Sequence, residues 1–424
     1  MKTADAARRF EKSAEIRGTK MEKQKQIVIF TMGTRGDVQP YLYLAQALIK
    51  AGYAVTLGTH PCWEKLVTGA GVSFLPVGPD VDIEYEAAVI RGKTKNPMLS
   101  MLRTMQFVFK IIESSSDEVY EACKGKDLVI VSHSKIAAAE AQALGIPAVN
   151  VTLQTEMIPE SKKPQRFFDK LVGALINPQM VKPYNKIRKR YGLPRIKTMD
   201  ECMSGLNLIP ISRYVTEPNP YWDEKNKLVG YWYSEEEPYQ PDEKLRDFLS
   251  AGEKPVILAL GAMSFESGQE KEKLDIFVHA FQKTGMRAII QGFHKTLSDY
   301  QLPDTMLSVG SVPHSWLFGQ GYCVIHHCGF GTAASSMLYG IASIPVPHVL
   351  DQFAFAKRLY DLKVGTAPIK AGELSEERLV NAINELKEHY GEIHNRVTEL
   401  SRKMREENGL QTSVRLIEEV LANF

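Results

Sequence analysis

Short apolar runs alternate with stretches of helical periodicity through the first part of the chain. The runs are rich in Val, Ile and Leu, as is typical of buried strands, and the stretches between them repeat apolar residues every three to four positions. The pattern predicts strand Gln26–Thr31, helix Val38–Ala51, strand Tyr53–Thr59, strand Phe74–Gly78, strand Asp127–Val131, helix Ile136–Leu144 and strand Ala148–Thr152. Strands that alternate with helices in this way predict a parallel sheet.

The same alternation begins again in the second part of the chain. It predicts a helix over 271–284 and strands at Pro255–Leu260, Arg287–Gln291, Met306–Val309, Tyr322–Ile325 and Pro345–Leu350. We therefore expect an α/β protein in which two Rossmann-like domains face a cleft. Ligands should bind at the carboxyl ends of the strands.

Changes in composition predict the domain boundaries. Residues 1–20 are charged and lack the apolar core of a signal peptide, so we treat them as a tail outside the fold. The first domain is expected over 21–217. A segment rich in Pro, Tyr, Trp, Asn and Glu, 218–241, is expected to be a linker. The second domain is expected over 242–405, followed by a helix, 406–424, that can pack back on the first domain.

Overall composition narrows the class of protein. The chain has 424 residues, 44% of them apolar and 24% charged, as in globular proteins. A net charge of +2 gives no ground for a nucleic-acid partner. The five cysteines are scattered without a C-x-x-C pair, which indicates a reducing, cytoplasmic location and no zinc site. No apolar run approaches the ~18 residues of a membrane span.

Two stretches allow more than one interpretation. Residues 98–112 carry Met and Phe at helical spacing, which favours core packing but would also suit an adaptable apolar pocket. Residues 182–190 are basic, which favours a solvated helix face over contact with a membrane surface.

The segment 324–337 predicts an anion site. An apolar strand delivers His326 and His327 into a turn with Gly329 and Gly331, and a helix follows. Helix N-termini carry unpaired N–H groups and favour negative charge. The two glycines would let a phosphate approach the backbone, and His327 can add a donor. We expect this element to bind the diphosphate of a nucleotide.

An acid and an amide, Asp351 and Gln352, follow the next predicted strand. Carboxylate and amide groups together accept and donate hydrogen bonds in a fixed array, which suits the hydroxyl groups of a sugar. The diphosphate and the sugar of a nucleotide sugar therefore each have candidate binding residues at the same edge of the sheet.

Three motifs in the same order resemble those of the inverting GT-B glycosyltransferases that use nucleotide sugars. Sterol glucosyltransferases and bacterial antibiotic and macrolide glycosyltransferases are the most similar branches. Gly33–Pro40 resembles their G-[ST]-R-G-D-V-x-P signature, and Val312–Phe318 resembles their V-P-H-x-W-L-F segment. His326–Thr332, with the later prolines and Asp351-Gln352, resembles the donor signature H-H-G-G-x-G-T…P…P…D-Q.

The resemblance implies that the first domain binds the acceptor and the second binds the nucleotide sugar. By this likeness His327, Gly331 and Thr332 contact the diphosphate, Val312 presents its backbone to the base, and Asp351 and Gln352 hold the sugar. UDP-glucose is the expected donor, with a dTDP-sugar as the alternative. The apolar acceptor would be a sterol, terpenoid, flavonoid or polyketide-like molecule.

The sequence departs from the family pattern at three places. Gly261 is followed by Ala262 where the family has Ser, and Ser264 is the candidate replacement for the missing hydroxyl near the phosphate. Plant small-molecule glucosyltransferases have a ribose-binding Glu where Ser335 stands. Cys328 stands where the sterol and antibiotic enzymes usually have Gly.

The catalytic base implied by the resemblance is Asp37. A positioned base contributes roughly 10²–10⁴-fold to such a transfer. The structural alternative is that Asp37 is the N-cap of the helix Val38–Ala51, in which case it could act as the base only by changing partners. His133, which follows a predicted strand, is a second candidate base or a residue of the acceptor pocket.

We expect single displacement with inversion and no metal or other cofactor, since the helix N-terminus and His327 would stabilise the leaving diphosphate. The D-x-D sequence Asp80–Asp82 lies in the wrong domain for a metal site and is expected at the surface. The alternatives are a nucleotide-sugar epimerase, a lipid-linked sugar transferase, or a lipid-binding protein that has lost transfer activity.

Overall fold

The computed structural model describes residues 24–81, 85–86, 89–90, 97–164, 167–202, 205–234, 239–261 and 270–424. The predicted tail 1–20, Asp82, Ala262 and Ser264 lie outside the described residues.

The first domain is built on a parallel sheet of seven strands in the order β3-β2-β1-β4-β5-β6-β7. The strands are β1 (Gln26–Phe30), β2 (Ala54–Thr59), β3 (Ser73–Pro76), β4 (Leu128–Val131), β5 (Ala148–Val151), β6 (Asn207–Ile209) and β7 (Asn226–Leu228). Its helices are α1 (Arg35–Lys50), α2 (Glu64–Gly69), α3 (Pro97–Ser114), α4 (Ser116–Cys123), α5 (Ala138–Leu144) and α6 (Phe167–Arg190).

The second domain is built on a parallel sheet of five strands in the order β10-β9-β8-β11-β12. The strands are β8 (Val256–Ala259), β9 (Ala288–Gln291), β10 (Met306–Val309), β11 (Cys323–His326) and β12 (Ala342–Pro345). The helices that follow the linker are α7 (Glu243–Ser250), α8 (Glu270–Thr284), α9 (His294–Leu297), α10 (His314–Gln320), α11 (Phe330–Leu338), α12 (Leu350–Asp361), α13 (Glu376–Glu388), α14 (Tyr390–Arg405) and α15 (Gly409–Ala422). The prediction of two parallel-sheet α/β domains is confirmed.

Alternating side chains bury both faces of each sheet. In β1, Ile27 and Ile29 belong to one core cluster, and Val28 and Phe30 belong to the cluster on the opposite face. Successive strand residues point to opposite faces, so a strand covered by helices on both sides must be apolar throughout. This requirement explains why the strands appear in the sequence as continuous apolar runs.

The last predicted strand was placed wrongly. β12 ends at Pro345, where the predicted strand Pro345–Leu350 was to begin. Pro345 and Pro347 have no N–H group and cannot donate to a neighbouring strand, which limits proline to strand ends and edges. The residues that follow β12 form a loop, and α12 begins at Leu350.

The segment predicted to be a linker also contains regular structure. β7 lies within 218–241 and pairs with β6 at the edge of the first sheet, with Asn207 beside Asn226. The Asn207 side chain donates from Nδ2 to Asn226 Oδ1 at 2.7 Å. This part of the segment therefore belongs to the first sheet.

The C-terminal helix α15 packs on the first domain. Ile417 and Leu421 lie in the same core cluster as the strand residues of β1. Trp232 donates from Nε1 to Ser413 Oγ at 2.8 Å. At the start of the helix, a Cβ atom on Gly409 would lie 2.5 Å from a backbone oxygen, so the chains approach closely there.

An apolar cluster joins the two domains. It combines Ile209, Ile211 and Tyr231 of the first domain and its edge with Met337 and Phe355 of the second, all buried. Because buried apolar area stabilises association by about 25 cal/mol per Å², this cluster holds the domains together on one side of the cleft.

The two ambiguous stretches have structural partners. In α3, Ile111 and Ile112 are buried in the first-domain core, and Phe107 and Phe109 pack against it. The side chains of Met98 and Met101 are outside the described part. In the basic stretch of α6, Lys186 pairs with Glu113 and Arg190 with Asp117, while Arg188 is buried and donates to the Pro194 carbonyl. Four of the five cations are therefore exposed, as expected of a solvated helix face, and Arg188 is the exception.

Candidate active site

The N-terminus of α11 has the geometry expected of an anion site. β11 ends at His326, and Gly329 is the N-cap of the helix. The first helical hydrogen bond runs from the Ala333 N–H to the Gly329 carbonyl at 2.9 Å, so the N–H groups of residues 330–332 precede it. The space where a Cβ atom of Gly331 would lie is open to 4 Å. This helix end can therefore receive an anion.

The first histidine of the pair, His326, is a core residue. Its Nδ1 accepts the Cys328 N–H at 3.2 Å, and its Nε2 lies 3.1 Å from Ser343 Oγ. Burial lowers the pKa of His326 to about 3, so the ring is neutral. His326 thus fixes the turn that leads into α11.

The second histidine, His327, lies against two glycines. A Cβ atom on Gly261 would approach the ring carbon Cε1 to 3.2 Å, and a Cβ atom on Gly329 would collide with Nε2. Gly329 therefore makes room for the His327 ring rather than for a phosphate, which corrects the sequence interpretation. Nδ1 of His327 is buried and makes no hydrogen bond of standard geometry within the described part of the chain, but the Ala259 backbone lies close enough to oppose the shift in the pKa of the ring. Burial lowers the pKa of His327 to about 4, so the ring is neutral and offers one N–H.

Cys328 adopts a backbone conformation that favours glycine. Its φ is 63°, in the left-handed region, where a side chain costs roughly 1–2 kcal/mol. The left-handed backbone at this position agrees with the Gly that the family pattern has there. The thiol is fully buried in the interdomain cluster.

The start of α12 carries the two residues expected to hold the sugar. The Gln352 side chain is buried, and its Oε1 accepts the N–H groups of His348 at 2.8 Å and Val349 at 3.2 Å. The amide oxygen is therefore used to cap the helix, and only Nε2 remains for a ligand. This corrects the expectation that the Gln352 amide would both accept hydrogen bonds from a sugar and donate to it.

The carboxylate of Asp351 lies in an acidic environment. Burial raises the pKa of Asp351, and the negative charges of Asp37 and Glu156 raise it further. Both of these residues belong to the first domain. Asp351 therefore faces the first domain across the cleft.

Asp37 lies inside α1 and is not its N-cap. The helix begins at Arg35, three residues earlier than predicted, and Thr34 is the N-cap. Asp37 Oδ2 accepts the Thr34 N–H at 2.9 Å and the Thr34 hydroxyl at 3.1 Å, so Asp37 provides the acidic half of a capping box. Its other oxygen, Oδ1, lies 3.7 Å from His133 Nε2. Because Asp37 is not the N-cap, the condition attached to that alternative does not apply: Oδ2 makes the capping contacts, and Oδ1 is the oxygen near His133.

His133 is the partner of Asp37. It follows β4, in a loop where Lys135 and Ala137 have left-handed φ values of 57° and 73°. Such values in residues with side chains mark strained backbone, which is common at functional sites. Burial lowers the pKa of His133, and the charges of Asp37 and Asp351 oppose that shift. The two candidate bases of the sequence analysis thus form one pair that faces Asp351.

The carbonyl of Val312, expected to face the base of the nucleotide, is occupied. Gln291, at the end of β9, donates from Nε2 to that carbonyl at 2.9 Å. A pocket of about 230 Å³ adjoins Val312 on the side of α7 and is lined by Asp242, Lys244 and Ser311 among others.

The side-chain contacts between the two domains were not predicted from the sequence. Arg35 donates from Nη1 to Ser311 Oγ at 3.4 Å. Arg358 reaches from α12 to Thr155 and Glu156 of the first domain. An arginine two turns after Asp351 on one helix was visible in the sequence, but its partner lies 202 positions away.

Two further features concern membrane-spanning helices and the cysteines. In the described ranges of the chain, no helix combines the length and the apolar character needed to cross a membrane. None of the five cysteines forms a disulfide; Cys62 is exposed and the other four are buried.

Both halves of the chain match known glycosyltransferase domains. Residues 27–149 match the N-terminal domain of glycosyltransferase family 28. Residues 288–420 match the C-terminal domain of the erythromycin biosynthesis protein CIII-like family.

Similar sequences include sterol 3-beta-glucosyltransferases. One from Arabidopsis thaliana is 27% identical over 419 residues, covering 92% of this chain and 67% of the relative. One from Candida albicans is 28% identical, covering 92% of this chain and 27% of the relative. The chain therefore spans between about a quarter and two thirds of the length of these relatives.

Similar structures are glycosyltransferases of antibiotic biosynthesis. The glycosyltransferase of kitacinnamycin superimposes with a TM-score of 0.74 at 18% identity, covering 94% of this chain and 100% of that protein. The calicheamicin glycosyltransferase CalG4 gives 0.71 at 17% identity, covering 95% and 99%. The glycosyltransferase VinC in complex with dTDP gives 0.70 at 19% identity, covering 94% and 100%. With two parallel-sheet domains and a family-model match in each half, this chain has the GT-B fold of these glycosyltransferases.

Proposed function

We propose that the protein transfers a hexose, with glucose the first choice, from a UDP-sugar to a hydroxyl group of an apolar small molecule. The observation that carries the proposal is that Asp37 Oδ1 lies 3.7 Å from His133 Nε2 in the first domain, and that both groups are close enough to Asp351 of the second domain for their charges to interact. An acceptor hydroxyl and a sugar could meet between them. A sterol is the leading acceptor class, because the relatives named above are sterol glucosyltransferases.

The donor side of the reaction would use the second domain. The leaving diphosphate would lie at the N-terminus of α11, where the N–H groups of residues 330–332 and the neutral His327 ring can receive its charge. Fixed donors directed at a developing charge stabilise a transition state without reorganising. No cofactor beyond the nucleotide sugar is part of the proposal.

The acceptor side would use Asp37 as the base. Its Oδ1 is free of the capping contacts and lies near a histidine that burial keeps neutral. A hydroxyl oxygen within reach of both Asp37 Oδ1 and His133 Nε2 would give its proton to the carboxylate as the glycosidic bond forms. The displacement would be direct and would invert the anomeric carbon.

Two finer points remain proposals of the same kind. A cytoplasmic location is supported by five cysteines that form no disulfide. UDP-glucose is preferred to a dTDP-sugar as the donor because the sterol relatives are glucosyltransferases, although the similar VinC structure contains dTDP.

The test is to incubate the purified protein with UDP-glucose and a panel of sterols, triterpenoids, flavonoids and polyketides, and to look for acceptors that gain one hexose by mass spectrometry. We expect a sterol product and UDP release that depends on the acceptor. A protein that binds UDP but forms no product and releases no UDP with any acceptor or donor would contradict the proposal. Epimerisation of the donor without an acceptor would also contradict it.

A further inference from the structure

Helix α12 touches both sides of the cleft. It carries Asp351 in its first turn and Arg358 seven residues later, which is about two turns at 3.6 residues per turn. Arg358 Nη2 donates to Thr155 Oγ1 at 2.5 Å and to Glu156 Oε1 at 2.6 Å. Thr155 and Glu156 form a 3-10 turn, Thr155–Met157, which follows β5 in the first domain. One helix thus holds the candidate sugar contact and an ion pair to the acceptor domain.

The contact is built into the interdomain interface. The Arg358 side chain is only 18% exposed, and Thr155 is buried. The guanidinium carbon of Arg358 lies 5.1 Å from the centre of the Phe355 ring, and Phe355 belongs to the apolar cluster between the domains. A planar guanidinium that is stacked and doubly hydrogen-bonded is held in one geometry, unlike a surface ion pair between two flexible side chains.

We propose that Arg358 is a positioning residue that ties α12, two turns after Asp351, to the acceptor domain and so sets Asp351 opposite the Asp37–His133 pair. This inference rests on the proposed function.

The reason is geometric. Transfer between two domains requires the acceptor oxygen and the anomeric carbon to approach to roughly 3–3.5 Å, and small displacements lower the rate strongly. The residues assigned to the diphosphate belong to the second domain, and the Phe330 side chain beside them packs against both domains. Arg358 adds a polar contact to the first domain from the helix that carries Asp351, and it also neutralises Glu156, whose charge acts on Asp351.

The expected signature separates positioning from binding. Arg358→Ala should lower kcat for transfer by ~10-fold or more, while the affinity for UDP stays within about twofold of wild type because the α11 grip is intact. If the two domains are held together less firmly, water should enter the cleft more easily. A larger share of the UDP-glucose consumed should then be hydrolysed rather than transferred to the acceptor.

The experiment compares Arg358→Ala, Glu156→Ala and the double variant with wild type. Lys357→Ala is the matched control, since Lys357 lies on the same helix but pairs with Asp361 on the surface. Glu156 is half exposed, so its variant tests the contact without opening the core. The readouts are kcat per UDP-binding site, KM for UDP-glucose and the ratio of hydrolysis to transfer.

We expect both single variants to lose kcat, the double variant to lose less than the product of the two single losses, and Lys357→Ala to match wild type. The inference is overturned if kcat of Arg358→Ala per binding site stays within about twofold of wild type, or if the two losses multiply. A wild-type protein that transfers no sugar would instead contradict the proposed function, so the two failures are distinct.

Discussion

One carboxylate oxygen of Asp37 stabilises the start of a helix, and the other lies in the candidate site. Oδ2 closes the capping box with Thr34, and Oδ1 faces His133. A capping interaction contributes typically about 1 kcal/mol, so the fold alone would account for an acid at this position. The neighbouring His133, in a strained loop and opposite a second buried acid, is what the fold alone does not require.

The raised pKa of Asp351 predicts that activity depends on pH. Burial first, and then the charges of Asp37 and Glu156, raise its pKa above that of a free aspartate, while backbone N–H groups at the start of α12 oppose the shift. Among the described groups, His133 lies close enough to Asp351 for their charges to interact. A raised pKa means that the carboxylate is lost at a higher pH as the solution is acidified. We therefore expect kcat/KM for UDP-glucose to fall on the acid side, through the raised pKa of Asp351. Asp351→Asn should be less active and should lack this acid limb.

The control for that prediction is UDP without a sugar. Its affinity should not follow the titration of Asp351, because the carboxylate is assigned to the sugar and not to the diphosphate. An acid limb of equal size in UDP binding, or one that persists in Asp351→Asn, would remove Asp351 from the sugar contact.

At the scale of elements, the two glycines at the start of α11 make a matched pair. Gly329→Ala should lower both thermal stability and UDP affinity, because its Cβ would collide with the His327 ring. Gly331→Ala should keep the stability, since the space around it is open and Ala favours a helix, but it should lower UDP affinity by obstructing the phosphate. Thermal melting and calorimetric titration with UDP measure the two effects. Equal stability of the two variants would show that His327 is not held as described.

Element prediction from the sequence worked where burial on both faces forces a continuous apolar run, as in β1, β4 and β8. It failed where the determinant was local chemistry. The start of α1 was missed because the T-x-x-D sequence Thr34–Asp37 is a capping box, a signal that the sequence did contain. β7 was missed because Asn226–Leu228 is short, lies at a sheet edge and has no apolar pattern.

At the scale of the whole molecule, sequence patterns predicted the donor half of the candidate site, and the acceptor half was predicted from the resemblance. The pairing of Asp37 with His133, and of Arg358 with Glu156, could not be predicted, because each joins residues far apart in the chain. The capping role of Gln352 was hidden for a different reason: a Gln side chain can serve the backbone or a ligand, and only the conformation of the loop decides.

The position of α15 leads to a prediction about the stability of a truncated chain. α15 completes the core of the first domain although it follows the second in sequence. Ending the chain before residue 406 should therefore destabilise the first domain, and limited proteolysis should cut there while the second domain stays protected. Removing only Phe424, which is 81% exposed, is the control and should leave the proteolysis pattern unchanged. A truncated chain as resistant as the full one would contradict the role of α15.

The central claim is that the second domain holds the nucleotide sugar while Asp37 of the first removes the acceptor proton. Asp37→Asn tests it most directly, because an amide oxygen can still accept the Thr34 N–H and preserve the helix cap. The decisive measurement is acceptor-dependent UDP release, together with UDP affinity of the same preparation. We predict wild-type affinity with turnover reduced roughly 10²–10⁴-fold. Turnover close to that of wild type, or a loss of UDP affinity that accounts for the lost turnover, would contradict the account.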